Sequence, residues 1–491
     1  MGILLSEHKS FLIKRIISEE PFSEIHDELY LDDDSFQLFN TLESKKFNHQ
    51  SFSFSVVKGE NQCEIKAGYF VGVDWLGKTG RTIYVEPKIN AGLSQYFQNC
   101  LSEEENSIPA TEEFESNEKA ETREINYLKI LLDIMALPQT AGYSKEIIQI
   151  DWKAHPISID QKDDHLTPFL IVQFLQHLKT IVRKGLKKSY YKVQENLNSR
   201  IKGKVLLGPH IKKNVFKNRL TSTFCEFQVF GEDHLENRFL KKVLAFSISY
   251  IGNNPLLFSS GTEFKHILNY CRPAFEHIST GVNEDQLKNI RKNPFFNEYG
   301  EAIRIGQLIL KRFSYNITKT TRKKIETPPF WIDMPGLFEL YFYCQLIKAN
   351  PQDQRYIHYQ FSTYGNHLDI LISKPGYEMV IDTKYKLKYT KSHIHKDIRQ
   401  VSGYSRLKKV INEIKSKNNT WEEDKVIDCL IIYPYLDQQN AGQQENTSSS
   451  LLKDFSLANI KKQFEKTENQ ITVYHKVFKL GINLPLIDKT G

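Results

Sequence analysis

Two short apolar runs, each carrying an aspartate, flank a proline-glycine turn in the last third of the chain. The runs HLDILIS and EMVIDTKYK are joined by KPGY at residues 374–377, a pattern that predicts a β-hairpin. If the Pro-Gly pair forms a two-residue loop, Asp369 lies directly across from Asp382, with Cβ atoms roughly 5 Å apart. Lys384 then lies on the same face, because side chains alternate along a strand.

The register of this hairpin depends on its turn. Pro-Gly favours a type II turn, whereas tight hairpins prefer the primed turn types. A longer loop would move the register by a residue or two, and only an even shift would keep Asp369 and Asp382 on one face.

Opposed carboxylates repel each other, so the hairpin predicts a group that offsets their charge. A hard divalent cation with oxygen ligands is the simplest candidate. Mg²⁺ is commonly held by one or two carboxylates beside a substrate phosphate, and Asp369 with Asp382 matches that number. The pattern indicates phosphodiester chemistry.

Three other side chains are candidates for the same site. Glu339 lies early in an apolar helix, where a buried carboxylate needs a cation or a metal; the alternative is an acid favoured by the helix dipole. Lys384 could stabilise charge at phosphorus, or position and deprotonate water; the alternative is an ordinary salt bridge. Gln400 and Tyr404 are one helical turn apart and could touch a nucleic-acid backbone or orient the lysine.

Composition bounds the size and the partners of the protein. The 491 residues, 40% hydrophobic and 25% charged, are ordinary for a soluble protein of two to four domains. The net charge is +7, and residues 179–219 carry thirteen Lys/Arg against one acid, Glu195. Aromatic residues are interleaved with these basic residues. The stretch predicts either a DNA-binding surface, with Lys187 and Lys188 as contacts, or a solvated helix face.

Cysteine and hydropathy patterns bear on the compartment. The six cysteines are far apart and form no CxxC or Cys/His cluster, which argues against structural zinc and for a reducing environment. No apolar run is long enough to span a membrane, and no secretory signal is evident. We therefore expect a cytoplasmic protein without a membrane contact.

The chain divides into three sections and predicts an α+β multidomain fold. Residues 1–124 read as a β-rich domain that ends in an acidic linker at 103–124. Residues 125–320 read as a mostly helical, basic section, with one long helix expected over 168–193. Residues 321–491 alternate helix, hairpin, helix and strand, which predicts a compact α/β domain.

One nucleotide-binding motif is a false match. Residues 72–79, GVDWLGKT, satisfy GxxxxGK[ST], but the following GRTIYVEP is a β-branched strand and not a helix. Without a helix N-terminus there is no dipole to hold phosphate. The motif predicts a glycine turn between two strands.

Taken together, the candidate residues resemble a known nuclease core. Glu339, Asp369, the DTK triplet at 382–384 and the Gln400/Tyr404 pair look like the PD-(D/E)xK core in its QxxxY version. The segments AGYFVGV, TIYVEPKI, ENLNSRIKGKV and FGEDHLENRFLKKVL resemble the McrC family, the nuclease subunits of modification-dependent restriction systems. The resemblance covers most of residues 65–436. The acidic linker and the N-terminal extension are outside its pattern.

The resemblance implies a fold, a reaction and a partner. Residues 321–491 would form a PD-(D/E)xK restriction-endonuclease-like domain that cleaves DNA with Mg²⁺, in defence against foreign DNA. A separate AAA+ GTPase ring of the McrB type would recognise methylated duplex, and the β-rich N-terminal region would enter that ring and stimulate it.

The roles that follow for the site are specific. Asp369, Asp382 and the Thr383 carbonyl would hold Mg²⁺, Glu339 would support it, and Lys384 would assist attack of water on the phosphodiester. Two alternatives stay open: an auxiliary activator and DNA clamp of an AAA+ ring, and a stand-alone RecB-like repair nuclease.

Overall fold

The protein is a mixed α+β chain with several sheets. The computed structural model describes residues 3–7, 9–16, 28–47, 51–86, 88–90, 122–143, 146–160, 166–255, 258, 261–282, 296–312, 324–363, 366–385, 391–422, 425–435 and 451–485. Two compact units form: Met1–Ser158 together with Thr327–Gly491, and Ile159–Glu326. The division at residues 124 and 320 stays a prediction.

The strands are numbered in chain order. They are β1 Ile3–Ser6, β2 Ser10–Arg15, β3 Glu28–Leu31, β4 Lys45–Lys46, β5 Phe52–Lys58, β6 Gln62–Ala67, β7 Phe70–Trp75, β8 Thr82–Glu86, β9 Lys88–Asn90, β10 Thr122–Glu124, β11 Ile148–Ile150, β12 Ile157–Asp160, β13 Ser189–Asn198, β14 Lys204–Val205, β15 Ser222–Gly231, β16 Lys324–Thr327, β17 Phe330–Asp333, β18 Ile357–Thr363, β19 Asn366–Ile372, β20 Met379–Thr383, β21 Asp428–Tyr435 and β22 Val477–Asn483.

The α-helices are numbered in the same way. They are α1 Asp33–Asn40, α2 Tyr127–Met135, α3 Pro138–Ala141, α4 Leu166–Lys184, α5 Leu207–Lys213, α6 Leu235–Asn253, α7 Gly261–Cys271, α8 Asn297–Arg312, α9 Met334–Ala349, α10 Lys391–Tyr404, α11 Lys408–Lys417 and α12 Leu457–Gln463.

In the first unit, one sheet joins the beginning of the chain to its last third. Its strand order is β1-β8-β7-β17-β11. Strand β17 pairs antiparallel with β7, placing Phe330 opposite Val73 and Asp333 opposite Phe70. Trp331 of β17 is buried in the same apolar cluster as residues of the N-terminal strands. Since β17 runs directly into α9, the N-terminal sheet supports the helix that carries Glu339.

The GxxxxGKT segment, residues 72–79, covers the end of β7 and the turn that leads into β8. Residues 76–80 form a tight connection, in which the Leu76 N–H donates to the Arg81 carbonyl at 2.9 Å and Gly77 has φ +52°. The chain then continues as β8 and not as a helix. The predicted glycine turn between two strands is confirmed.

A second five-stranded sheet of this unit carries the candidate site. Its order is β18-β19-β20-β21-β22, with β18, β19 and β20 antiparallel and β20, β21 and β22 parallel. Helices α10 and α11 pack on one face, where Leu371 and Val380 of the hairpin share a core with Ile398, Val401 and Ile414. This face is also the one on which we expect the aspartates.

One helix of the second unit is shorter than its sequence predicts. The helix expected over 168–193 ends at Lys184, because Gly185 adopts φ +90°, and the chain becomes strand β13 from Ser189. This strand pairs with β15, which also pairs with β14 in a three-stranded sheet. The helical prediction was wrong beyond Gly185: the alternating SYYKVQ pattern is that of a strand.

No described helix is both long enough and apolar enough to cross a membrane.

The first glycine of the rejected motif is required by packing. A Cβ on Gly72 would lie 2.0 Å from the Phe330 carbonyl oxygen, so Gly72→Ala must push β7 and β17 apart. We expect a loss of about 1–3 kcal/mol in the free energy of unfolding, measured by urea denaturation. Gly142→Ala is the control, since a Cβ there meets nothing within 4 Å. Equal stabilities of the two variants would contradict this packing.

Candidate active site

The β19-β20 hairpin has the register that the sequence predicts. Ile370 pairs with Ile381 and Leu371 with Val380, so the next position along the same register places Asp369 opposite Asp382. The turn is closed by the Tyr377 N–H, which donates to the Lys374 carbonyl at 2.9 Å. The strands end at Ile372 and Met379, so the connection is longer than two residues, yet the register is unchanged.

The positive φ of Gly376 identifies the turn type. This glycine, third in the KPGY turn, has φ +83°, the conformation that a type II turn requires. A type II turn with Pro at its second position and Gly at its third is therefore compatible with two aspartates on one face.

The Asp369 carboxyl is held by hydrogen bonds from strand β20, the strand that carries Asp382. Its Oδ2 accepts from the Thr383 backbone N–H at 2.7 Å and from the Thr383 hydroxyl at 2.9 Å. Burial raises the pKa of Asp369, and Lys384 and the Thr383 donors only partly oppose that rise. Thr383 thus fixes the orientation of the Asp369 carboxyl.

Asp382 is almost completely buried, at 1% exposure. Lys384 Nζ lies 2.8 Å from its Oδ2, while its Oδ1 has no hydrogen-bond partner among the described residues. Burial, together with the neighbouring Asp369, raises the pKa of Asp382 to about 7. A buried acceptor without a donor is costly, and a cation would relieve that cost.

Lys384 lies among several oxygen atoms. Its Nζ is 2.8 Å from Asp382 and 4.0 Å from Asp397, and it donates to Gln400 Oε1 at 3.2 Å. Burial lowers the pKa of Lys384, but Asp382, Asp369 and Asp397 outweigh burial and raise it above its ordinary value. The side chain is therefore an ammonium ion at neutral pH and not a base.

Glu339 approaches the aspartates from helix α9. One of its oxygens, Oε1, is buried without a hydrogen-bond partner in the described part of the chain. Burial and the neighbouring Asp369 raise the pKa of Glu339, while hydrogen bonds from Tyr359 and Gln360 lower it. The electrostatic effect of Asp369 on Glu339 indicates that the two predicted acids share one environment.

Helix α10 brings the predicted Gln/Tyr pair to the lysine. Gln400 Nε2 donates to the Tyr404 hydroxyl at 2.8 Å, and Gln400 Oε1 accepts from Lys384. The pair thus orients the lysine, which is one of the two roles left open by the sequence. Contact of these residues with DNA stays a prediction.

Two features of the site escaped the sequence analysis. Asp397 is buried beside Lys384, and its spacing of three residues from Gln400 on one helix is the signal that could have identified it. Gln360 lies at the ladder position opposite Asp369 and has φ +47°, a left-handed conformation that is costly for a residue with a side chain. Nothing in the local sequence predicts that conformation.

The donor set fits a hard divalent cation. Glu339 and Asp382 each have a buried, unpartnered oxygen, and both are carboxylates, the ligand type that Mg²⁺ prefers. No group of three or more His, Cys, Asp or Glu side chains that could hold a metal occurs among the described residues. Mg²⁺ here would therefore depend on the Asp369 and Asp382 carboxylates, the Thr383 carbonyl and oxygens of water or substrate, as is usual for this ion.

The predicted DNA-contacting lysines lie in the second unit and differ from each other. Lys187 is largely buried, with Nζ 2.6 Å from Glu236 Oε2, so its charge is already paired. Lys188 is mostly exposed, and its Nζ is 3.7 Å from Glu232. Of the two, Lys188 has the accessible charge that a phosphate contact needs.

The family comparison covers every residue of the candidate site. A family model described as McrBC 5-methylcytosine restriction system component matches residues 65–412. No curated protein sequence matches the chain.

Two solved structures are also similar to the chain. A refined half-complex from a tetradecameric assembly of Thermococcus gammatolerans McrB AAA+ hexamers with bound McrC has 15% sequence identity and a TM-score of 0.33, covering 91% of this chain and 90% of that chain. The cryo-EM structure of the Thermococcus gammatolerans McrBC complex has 14% identity and a TM-score of 0.27, covering 71% of this chain and 88% of that chain.

Without divalent cations, the buried acids should make the stability of the protein depend on pH. The pKa of Asp382 rises from 3.8 to about 7 on folding, so the folded chain keeps a proton that the unfolded chain releases. Stability therefore falls as pH rises from about 4 to about 7. At pH 8 we expect Asp382→Asn to melt a few degrees above the wild type in a thermal scan.

Mg²⁺ should reverse this order. It should raise the Tm of the wild type increasingly as its concentration exceeds the dissociation constant, and leave the Tm of Asp382→Asn unchanged. Asp353→Asn, in a surface ion pair with Lys374 beside the hairpin turn, is the matched control and should respond like the wild type. An Asp382→Asn variant that melts early at pH 8 and still gains stability from Mg²⁺ would contradict the site.

Proposed function

Because the chain belongs to the family of McrBC 5-methylcytosine restriction system components, we propose that it is the DNA-cleaving subunit of a modification-dependent restriction system. The observation that carries this proposal is the cluster of Asp369, Asp382 and Lys384 on one face of a hairpin, where the buried Oδ1 of Asp382 has no donor among the described residues. Its residues and their order along the chain resemble those of a PD-(D/E)xK core, which supports the proposal.

The proposed chemistry is Mg²⁺-dependent hydrolysis of a phosphodiester. When bound, Mg²⁺ supplies a Lewis acid at the phosphate and lowers the pKa of bound water. Asp369 and Asp382, with the Thr383 carbonyl, are the ligands that this chain offers, and Thr383 holds Asp369 in place through two hydrogen bonds. Glu339 would support the ion from helix α9 as an outer ligand.

Lys384 has an electrostatic role in this proposal. Its neighbouring carboxylates keep it protonated, so it stabilises the charge that develops on the phosphate oxygens and does not remove a proton from water. Gln400 accepts a hydrogen bond from the ammonium and is itself bonded to Tyr404, so helix α10 sets the direction of the lysine.

The DNA would be held mainly by charge. Thirteen Lys/Arg lie within residues 179–219, and neutralising phosphates with such side chains releases counterions and gives affinity with little base readout. Lys188 is one exposed member of this set. Recognition of methylated duplex would then belong to a partner.

That partner, in our proposal, is a separate AAA+ GTPase ring of the McrB type. The family is described as a component of a restriction system, and the chain's GxxxxGKT segment is a turn between strands and not a nucleotide site. Nucleotide binding and translocation would therefore lie in the other subunit, with the β-rich N-terminal region as its contact.

Removing either charge of the central pair should slow cutting severely. We expect Asp382→Ala and Lys384→Ala to lower the cleavage rate by roughly 10²–10³-fold, because each removes a group that binds the metal or the transition-state charge. The rate is measured on methylated plasmid with the GTPase and Mg²⁺, and stimulation of GTP hydrolysis should be unchanged.

An ion pair at the hairpin turn offers the controls for these variants. Asp353 and Lys374 form an ion pair at 2.7 Å, and Asp353→Ala and Lys374→Ala remove the same charges outside the site. Both controls should cut like the wild type. Retained cleavage by Asp382→Ala and Lys384→Ala together would reject this active site.

Dependence on the partner separates this proposal from a stand-alone nuclease. The full chain with Mg²⁺ alone should leave methylated and unmethylated plasmids intact, and adding the GTPase with GTP should produce cuts in the methylated plasmid only. Plasmid topology on agarose gels reports both outcomes. Cutting of both plasmids by the chain alone would instead support a RecB-like enzyme.

A further inference from the structure

Tyr385, the residue after the catalytic lysine, is hydrogen-bonded to Glu7, which follows the first strand of the chain. Tyr385 is buried, and its hydroxyl donates to Glu7 Oε2 at 3.0 Å. Its ring is edge-on to Tyr69, with centroids 6.4 Å apart, and tilted against Phe338, with centroids 5.9 Å apart. Tyr385 thus contacts Glu7, Tyr69 and Phe338, whereas Lys384 contacts Asp382 and Gln400.

The neighbours of Tyr385 belong to the elements that build the site and the N-terminal sheet. Phe338 directly precedes Glu339 on α9. Glu7 follows β1, and its N–H donates to the Glu86 carbonyl at the end of β8. Tyr385 is thus packed where β20, α9 and the β1-β8 edge of the first sheet meet.

A contribution to folding stability does not explain why a glutamate lies at this buried position. It is buried, and its Oε1 has no hydrogen-bond partner within the described chain. Burial raises the pKa of Glu7 well above its ordinary value, against the opposing effect of Tyr385. An apolar pair of the same volume would avoid the cost of an unpartnered polar atom.

We propose that Glu7 and Tyr385 are positioning residues for DNA cleavage, an inference that rests on the proposed function. Strand β20 ends at Thr383, and the Lys384 N–H donates to the Ile432 carbonyl at 2.8 Å. Tyr385 is the next anchor along the chain. Its bond to Glu7 fixes the direction of the backbone after Lys384 and so keeps the ammonium between Asp382 and Gln400.

Misplacing a catalytic group by about 1 Å can cost up to about a hundredfold in rate. Loss of the Glu7–Tyr385 bond would let the chain after Thr383 relax without removing any group that touches DNA or metal. The expected signature is a slower rate at saturating DNA with an unchanged half-saturating DNA concentration.

The test uses the full chain with its GTPase partner, Mg²⁺ and methylated plasmid. Tyr385→Phe removes the donor and keeps the ring, and we expect about a tenfold slower cleavage rate with stimulation of GTP hydrolysis unchanged. Glu7→Gln can still accept from the tyrosine hydroxyl and should stay within about twofold of the wild type. Tyr299→Phe is the matched control: a buried tyrosine of the second unit, whose hydroxyl donates to Asn237 at 2.8 Å.

The double variant Glu7→Leu/Tyr385→Phe separates positioning from stability. It replaces a buried polar pair by apolar groups, so its Tm should match or exceed that of the wild type, yet it should cut about tenfold more slowly. Wild-type cleavage by this stable double variant, or by Tyr385→Phe, would overturn the inference and leave the proposed function intact. A wild-type chain that does not cut under these conditions would overturn both.

Discussion

An excess of buried negative charge around one ammonium is the constraint on which the rest of the site depends. Four acids, Glu339, Asp369, Asp382 and Asp397, each raise the pKa of a neighbouring group or have their own pKa raised. Within the described residues, Lys384 is the cation that lies among them. Such a cluster lowers the stability of the folded chain unless a further cation binds. The surrounding sheet and helices keep these side chains together although the cluster lowers the stability of the fold. A cluster that lowers stability in this way is expected at a functional site.

The N-terminal sheet is part of this scaffold. Strand β17 pairs with β7 across more than 250 residues of intervening sequence and then leads into the helix of Glu339. Tyr385, next to Lys384, donates a hydrogen bond to Glu7, which follows the edge strand β1 of the same sheet. A partner that contacts the N-terminal region would therefore act on elements that also position the candidate site residues.

The hairpin was predictable because its information is local. The KPGY turn and the alternation of side chains set the register of Asp369 and Asp382, and the spacing of Gln400 and Tyr404 set their common helix face. The features that could not be predicted depend on tertiary packing. Nothing in the local sequence indicates the left-handed conformation of Gln360, and no pattern links Tyr385 to Glu7, which lies at the far end of the sequence. The helix that we predicted through residue 193 ends at Lys184, because Gly185 has a positive φ that does not continue a right-handed helix.

The most direct test of the central claim is the location of a divalent cation in crystals grown with Mn²⁺, which takes the same kind of oxygen ligands as Mg²⁺. An anomalous difference map should show a peak between Asp369 and Asp382, in contact with the Thr383 carbonyl. A map without density there, while Lys384 stays paired with Asp382, would contradict the account.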